Sequence, residues 1–142
     1  LNPAPARKMD EENFKLIDFF TPNETEAEFY LNKKIKTESD IKNAGQELLK
    51  KGVKNVIITL GEKGVYFANK EENFFLNAFK LKEPVLDTTG AGDAFNGALT
   101  VSLASNLDIK EALIFANKIA GISTTKLGAA ASMPFTKDLV NY

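Results

Sequence analysis

Val56-Ile57-Ile58-Thr59-Leu60 is a nearly unbroken apolar run of strand length. It sits between a helical pattern stopped at Gly52 and a glycine turn at Gly61-Glu62-Lys63-Gly64. A strand without polar alternation is one covered on both faces, so the chain must build layers around it. Upstream, Ile17 to Phe20 reads as a strand halted by Thr21-Pro22-Asn23. A helix from Glu24 to about Tyr30 follows, with Asn23 as N-cap and Glu26 at the third helical position of a capping box. Another helix spans Asp40 to Lys51, since Ile41, Ala44, Leu48 and Leu49 share one face and Gly52 provides the stop.

Downstream, the glycine turn joins the buried strand to Val65-Tyr66-Phe67-Ala68, and Phe74 to Phe79 adds a further strand. Val85 and Leu86 read as a strand end leading into a second glycine-rich run. Beyond it, Phe95, Ala98, Leu99 and Ser102 mark the face of a helix. A last helix starts at Asp108, which stands at capping-box spacing from Glu111; Leu113, Ala116, Ile119 and Ala120 form its apolar face, and Gly128 and Pro134 close it off. Strands alternating with helices predict an α/β fold with a mostly parallel sheet.

The remaining chemistry is narrowed by composition. The 142 residues, 44% apolar and 26% charged, suit one globular domain, and no repeat or low-complexity segment interrupts them. There is no cysteine and no histidine, which removes disulfides, thiolate nucleophiles, cysteine zinc sites and histidine triads. A net charge of -1 offers no basic field for nucleic acid or an anionic membrane. No apolar run reaches membrane-spanning length, and the expected location is cytoplasmic. Leu1 to Ala6 reads as the exit of a strand whose body lies upstream, so the chain is expected to lack an N-terminal half.

What composition leaves open is chemistry by carboxylates and backbone amides. Asp87-Thr88-Thr89-Gly90-Ala91-Gly92-Asp93-Ala94-Phe95 places two glycines at a helix entrance. There the free amides of Ala91, Gly92 and Asp93 can converge on a phosphate with help from the helix dipole. A carboxylate beside a phosphate is repelled unless it has a proton to accept, and a substrate hydroxyl supplies one; Asp93 is therefore a candidate base for phosphoryl transfer. The alternative is a tight turn in which Asp93 only caps the helix. Neither G-x-x-x-x-G-K-[ST] nor G-x-G-x-x-G is present, which excludes a P-loop, a protein-kinase glycine loop and a dinucleotide fingerprint.

The longer run from Asp87 to Gly97 resembles the C-terminal signature of the ribokinase family of carbohydrate kinases. Asn2-Pro3-Ala4-Pro5-Ala6, Thr21-Pro22-Asn23-Glu24-Thr25-Glu26-Ala27-Glu28, Ile58-Thr59-Leu60-Gly61 and Gly128-Ala129 with Ser132 and Pro134 match the same family in order and spacing, so the likeness covers essentially the whole chain. It implies a part of a Rossmann-like three-layer fold, the C-terminal nucleotide-binding part of a kinase domain over residues 1–142. The implied reaction is ATP-dependent transfer to the 5-hydroxyl of D-ribose, with a fructokinase, a deoxyribokinase or an inactive ATP-binding fragment as alternatives. By resemblance, Asp93 is the base and the amides from Gly90 through Ala91 and Gly92 to Asp93 form the anion hole. Thr59, Leu60, Gly61, Glu62, Lys63 and Gly64 resemble the nucleotide-binding segment, with Asn117 beside the adenine; a plain hairpin turn is the other reading of Gly61 to Gly64.

Asn23 and Glu26 resemble the N-x-x-E element that acts near the phosphates and Mg²⁺, although the same pair makes a capping box unaided. A K⁺-like ion is implied as well, with oxygen ligands at Asp87, Thr89, Ser123, Lys126, Gly128 and Ser132. Gly128 and Ser132 also read as ordinary helix-end and turn residues. Lys126-Leu127-Gly128-Ala129-Ala130 departs from the family's Arg-x-Gly-Ala-Gln. The family's dimers use a lid outside this chain, which leaves a homodimer of the full-length protein open.

Overall fold

The computed structural model describes residues 1–141. Expected from its length to form one domain, the chain divides into two compact units, Leu1–Asn77 and the residues from Ala78 onward.

The first unit carries the sheet. Its strands are β1 (Phe19–Phe20), β2 (Asn55–Thr59), β3 (Val65–Ala68) and β4 (Asn73–Leu76), and its helices are α1 (Glu24–Leu31) and α2 (Glu38–Lys50). The strands lie in the order β1-β2-β3-β4. β1 pairs with β2 in parallel, across the helical crossover, whereas β2 with β3 and β3 with β4 are antiparallel. The expectation of α/β layering holds, but this chain's own sheet is mixed rather than mostly parallel. The reason is connection length: only a few residues separate β2, β3 and β4, and short links force antiparallel neighbours.

Alternation puts Val56, Ile58, Tyr66 and Ala68 on one face of the sheet, where they share a core with Ala27 of α1 and Ile41, Ala44 and Leu48 of α2. Ile57, Val65 and Phe67 point to the other face and are also 0–2% exposed, as a strand without polar alternation requires. Gly45 lets α2 lie close on β3: a Cβ there would come within 2.7 Å of Tyr66 Cε1. α2 starts two residues earlier than its apolar periodicity suggests, because Thr37 and Asp40 form a reciprocal capping box. β1 is shorter than predicted; Ile17 instead ends a 3-10 helix, Glu11–Leu16, whose Phe14 packs edge-on against Phe20 at 5.9 Å.

The second unit is a helical hairpin with loops at its ends. α3 (Ala91–Ala104) packs against α4 (Ile109–Ser123), and Ala94, Ala98, Ala112 and Ala116 are among the residues buried on the two helices. α3 closes with a Schellman motif in which the Leu107 amide donates to Ser102 O and the Asn106 amide to Leu103 O. Asn106 takes the left-handed position, φ 61°, commonly held by glycine. α4 ends at Ser123, five residues before the predicted stop at Gly128. There the hydroxyls of Ser123, Thr124 and Thr125 donate back to the carbonyls of Ala120, Gly121 and Ile122 at 2.7–2.8 Å, satisfying the last turn. Val85 and Leu86 form no strand, because their stretch has no ladder partner; both side chains are more than half exposed. Among the described residues, no helix is long and apolar enough to cross a membrane.

Candidate active site

The predicted residues fall into two groups, one in each unit. In the first unit, Asn23 and Glu26 make the complete capping box: Glu26 Oε2 accepts the Asn23 amide and Asn23 Oδ1 accepts the Glu26 amide, both at 2.8 Å. The capping reading of the pair is therefore correct. Glu26 is 9% exposed, and its second carboxylate oxygen, Oε1, has no partner among the described residues. Asn23 also bridges Thr59, and the Thr59 amide donates to Pro22 O at 3.0 Å, which brings the N-x-x-E element beside the end of β2.

From there Gly61–Lys63 forms one 3-10 turn, closed by the Leu60 amide on Gly64 O (2.8 Å) and the Gly64 amide on Gly61 O (3.0 Å). Gly61 and Gly64 have φ of 59° and 100°. Gly61, Glu62 and Lys63 are exposed, while Leu60 and Gly64 are buried. This turn joins two antiparallel strands, so the hairpin reading is also correct. It leaves the Gly61 and Glu62 amides without an acceptor among the described residues.

In the second unit the glycine-rich run opens α3. Gly90, with φ 80°, is the N-cap, and no side chain caps the helix. The amide of Ala94 donates to Gly90 O (2.9 Å), the first full helical bond. The Ala91 amide donates to Thr88 O (3.2 Å) and is thus committed to the turn, contrary to its predicted place among the free donors. The amides of Gly90, Gly92 and Asp93 have no acceptor among the described residues, which leaves three open donors at the positive end of the helix dipole. Asp93 lies in the first turn, exposed, and makes no capping bond. The view of Asp93 as a mere N-cap is therefore wrong, because Gly90 holds that position.

Asp87 ties the entrance of α3 to the loop after α4. Its Oδ1 accepts the Thr89 amide and its Oδ2 the Gly128 amide, each at 2.9 Å, while the Leu86 and Asp87 amides both donate to Thr124 O. These bonds to the charged form hold the Asp87 carboxyl below its ordinary 3.8, with the Thr89 hydroxyl and amide as the larger causes and the Gly128 amide next. Since the folded value lies below the unfolded one, the stabilisation is complete above about pH 4 and is lost as pH falls through the lowered value. Asp87→Asn should accordingly lower the urea midpoint at pH 7, and the gap to the parent should close below pH 3.8. A gap independent of pH would show that the carboxylate charge is not what the two amides bind.

Ser123 and Ser132, each 1% exposed, donate their hydroxyls to Ala120 O and Ala129 O. Lys126 reaches Asp138 at 3.4 Å. The carbonyls of Thr89 and Gly128 accept nothing among the described residues. Asn117 is half-buried on α4. Sequence reading missed the role of Ala129 and Met133: a Cβ on Gly90 would stand 3.1 Å from Ala129 Cα and Cβ and 3.3 Å from Met133 Cε. No local pattern announces that contact, which joins residues some forty positions apart.

The open amides and the Asp93 carboxylate at the start of α3 are groups of the kind that phosphoryl transfer uses. The model of the pfkB family carbohydrate kinases matches residues 1–136. The chain belongs to that family. Among pfkB relatives, it is 40% identical over 140 residues to the ribokinase of Staphylococcus aureus (strain COL), covering 98% of this chain and 45% of that one. It is 36% identical to the deoxyribokinase of Salmonella typhi over 143 residues, covering all of this chain and 46% of the relative. The crystal structure of ribokinase from Thermotoga maritima superposes with a TM-score of 0.87 at 40% identity, over 99% of this chain and 46% of that one. Ribokinase from Arabidopsis thaliana, complexed with ribose and ATP, gives 0.87 at 32% identity over 93% and 42%. The chain thus spans about half the length of the pfkB relatives it matches.

Proposed function

We propose that this chain is the nucleotide-binding, C-terminal part of an ATP-dependent kinase that transfers the γ-phosphate to the 5-hydroxyl of D-ribose. The observation that carries the reading is the entrance of α3, where the amides of Gly90, Gly92 and Asp93 and the Asp93 carboxylate all lack partners among the described residues. In the reaction the sugar oxygen attacks the γ-phosphorus and the bond to the bridging oxygen of ADP breaks. Asp93 accepts the hydroxyl proton, and the three amides stabilise the charge on the transferring group. The products are ribose 5-phosphate, ADP and a proton.

In this reading Gly61, Glu62, Lys63 and Gly64 border the nucleotide, with Thr59 and Leu60 setting the turn and Asn117 beside the adenine. Glu26 fits a role near Mg²⁺ because Oε1 is left over from capping and can hold a metal-bound water. Asp87, with oxygens at Thr89, Ser123, Lys126, Gly128 and Ser132, fits a K⁺-like ion. Mg²⁺, when bound, neutralises charge on the phosphates, and the monovalent ion orders the loop. The sugar, ATP and these ions are the partners; nucleic acid and membrane are not, in keeping with the net charge of -1, and the location is cytoplasmic.

A second reading is a deoxyribokinase, favoured by 36% identity over the whole chain. The test is ADP formation by the complete gene product with ribose, deoxyribose and fructose. Ribose is expected to give the largest kcat/KM, with a higher rate in K⁺ than in Na⁺. A protein that phosphorylates no pentose or hexose would sink the kinase reading. The 142-residue chain alone is expected to bind ATP without turnover.

A further inference from the structure

The anion hole is built from residues 90–93, but what fixes its shape comes from the other end of the unit. Two contacts converge on it. The Gly128 amide donates to Asp87 Oδ2 at 2.9 Å, and Ala129 fills the space that a side chain on Gly90 would need. Ala129 is itself pinned, since its carbonyl accepts the hydroxyl of Ser132, which is 1% exposed. Met133 completes the wall at 3.3 Å from the same position. An open donor set of this kind must be held to within a fraction of an ångström to stabilise developing charge. A polypeptide turn at a helix start, with one glycine at φ 80°, does not hold itself that well.

We infer that Ala129 is a positioning residue for phosphoryl transfer: its packing against Gly90 sets the aim of the amides at the start of α3. The inference rests on the kinase reading above. A larger side chain at 129 pushes Gly90 away and tilts Gly92 and Asp93 with it, without touching either substrate. Serine, close to alanine in volume, leaves the packing in place.

The test is steady-state kinetics of the complete gene product with Ala129→Val and Ala129→Ser. The valine variant is expected to lose on the order of 10- to 100-fold in kcat, with both KM values within about threefold of the parent. The serine variant is expected to recover most of that loss. Hydrogen exchange gives a second measurement that does not need turnover: the Ala94 amide, bonded to Gly90 O at 2.9 Å, should exchange faster in the valine variant than in the parent. A valine variant with kcat within twofold of the parent and unchanged Ala94 exchange would overturn the inference. So would a kcat loss that tracks a loss of folded protein, read by thermal melting. An inactive parent would instead strike the kinase reading, and the exchange experiment would still decide whether Ala129 holds Gly90.

Discussion

Asp93→Asn in the complete gene product is expected to lower kcat by about three orders of magnitude while the dissociation constant for ATP stays within about twofold. The size follows from the role. A positioned base typically contributes about 10²- to 10⁴-fold, and asparagine keeps the shape while losing the ability to take a proton. The small effect on binding follows from geometry, since the Asp93 carboxylate makes no capping bond and has no partner whose loss would disturb α3. Stability should fall only slightly at the melting midpoint. A carboxylate in the first turn of a helix is favourable by a few tenths of a kcal/mol, so the drop is bounded at about 1 kcal/mol. Turnover close to the parent value would remove Asp93 as base. A large loss of ATP affinity would mean that the residue shapes the nucleotide site instead.

Local features of the fold could be read from sequence wherever one stretch of chain settles its own hydrogen bonds. The capping box of Asn23 and Glu26 is such a case, because residues three apart on an opening helix can only meet one another. The same logic was available at Thr37 and Asp40 but lay one turn before the apolar periodicity began. α4 ends before the glycine stop signal at Gly128 because three successive hydroxyls, at Ser123, Thr124 and Thr125, already satisfy the final carbonyls. Strand direction was legible only through link length, and the short connections among β2, β3 and β4 outweighed the general helix-strand alternation.

The candidate site divides along the same line. Asp93 and the glycines stand in one run and could be named from it, but which amides are free could not. Ala91 is lost to Thr88 O through a turn that depends on the φ of Gly90. The clamps on that turn, Asp87 to Gly128 and Ala129 to Gly90, join segments about forty residues apart. Contacts at that separation are set by how the helical hairpin packs and leave no periodicity to detect.

Gly90→Ala is expected to damage both stability and rate, and its two causes can be separated. The first is conformational: a residue with a Cβ at φ 80° is strained by roughly 1–2 kcal/mol. The second is steric, since the new methyl would sit 3.1 Å from Ala129 Cα and Cβ, closer than packed carbon atoms tolerate, and one segment must give way. Together they should lower stability by about 2–4 kcal/mol and kcat by on the order of 10²-fold, the latter because the displaced residue carries one of the three open amides and the other two belong to the same turn. Adding Ala129→Gly removes one blocking carbon, the methyl, but leaves the Ala129 Cα at 3.1 Å, Met133 Cε at 3.3 Å and the dihedral strain in place. The double variant should thus regain part of the rate and part of the stability, and the shortfall in the double-mutant cycle measures the contact. Full additivity of the two substitutions would mean that Gly90 and Ala129 act independently, and the fixed shape of the anion hole would then have to come from the Asp87 hydrogen bonds alone.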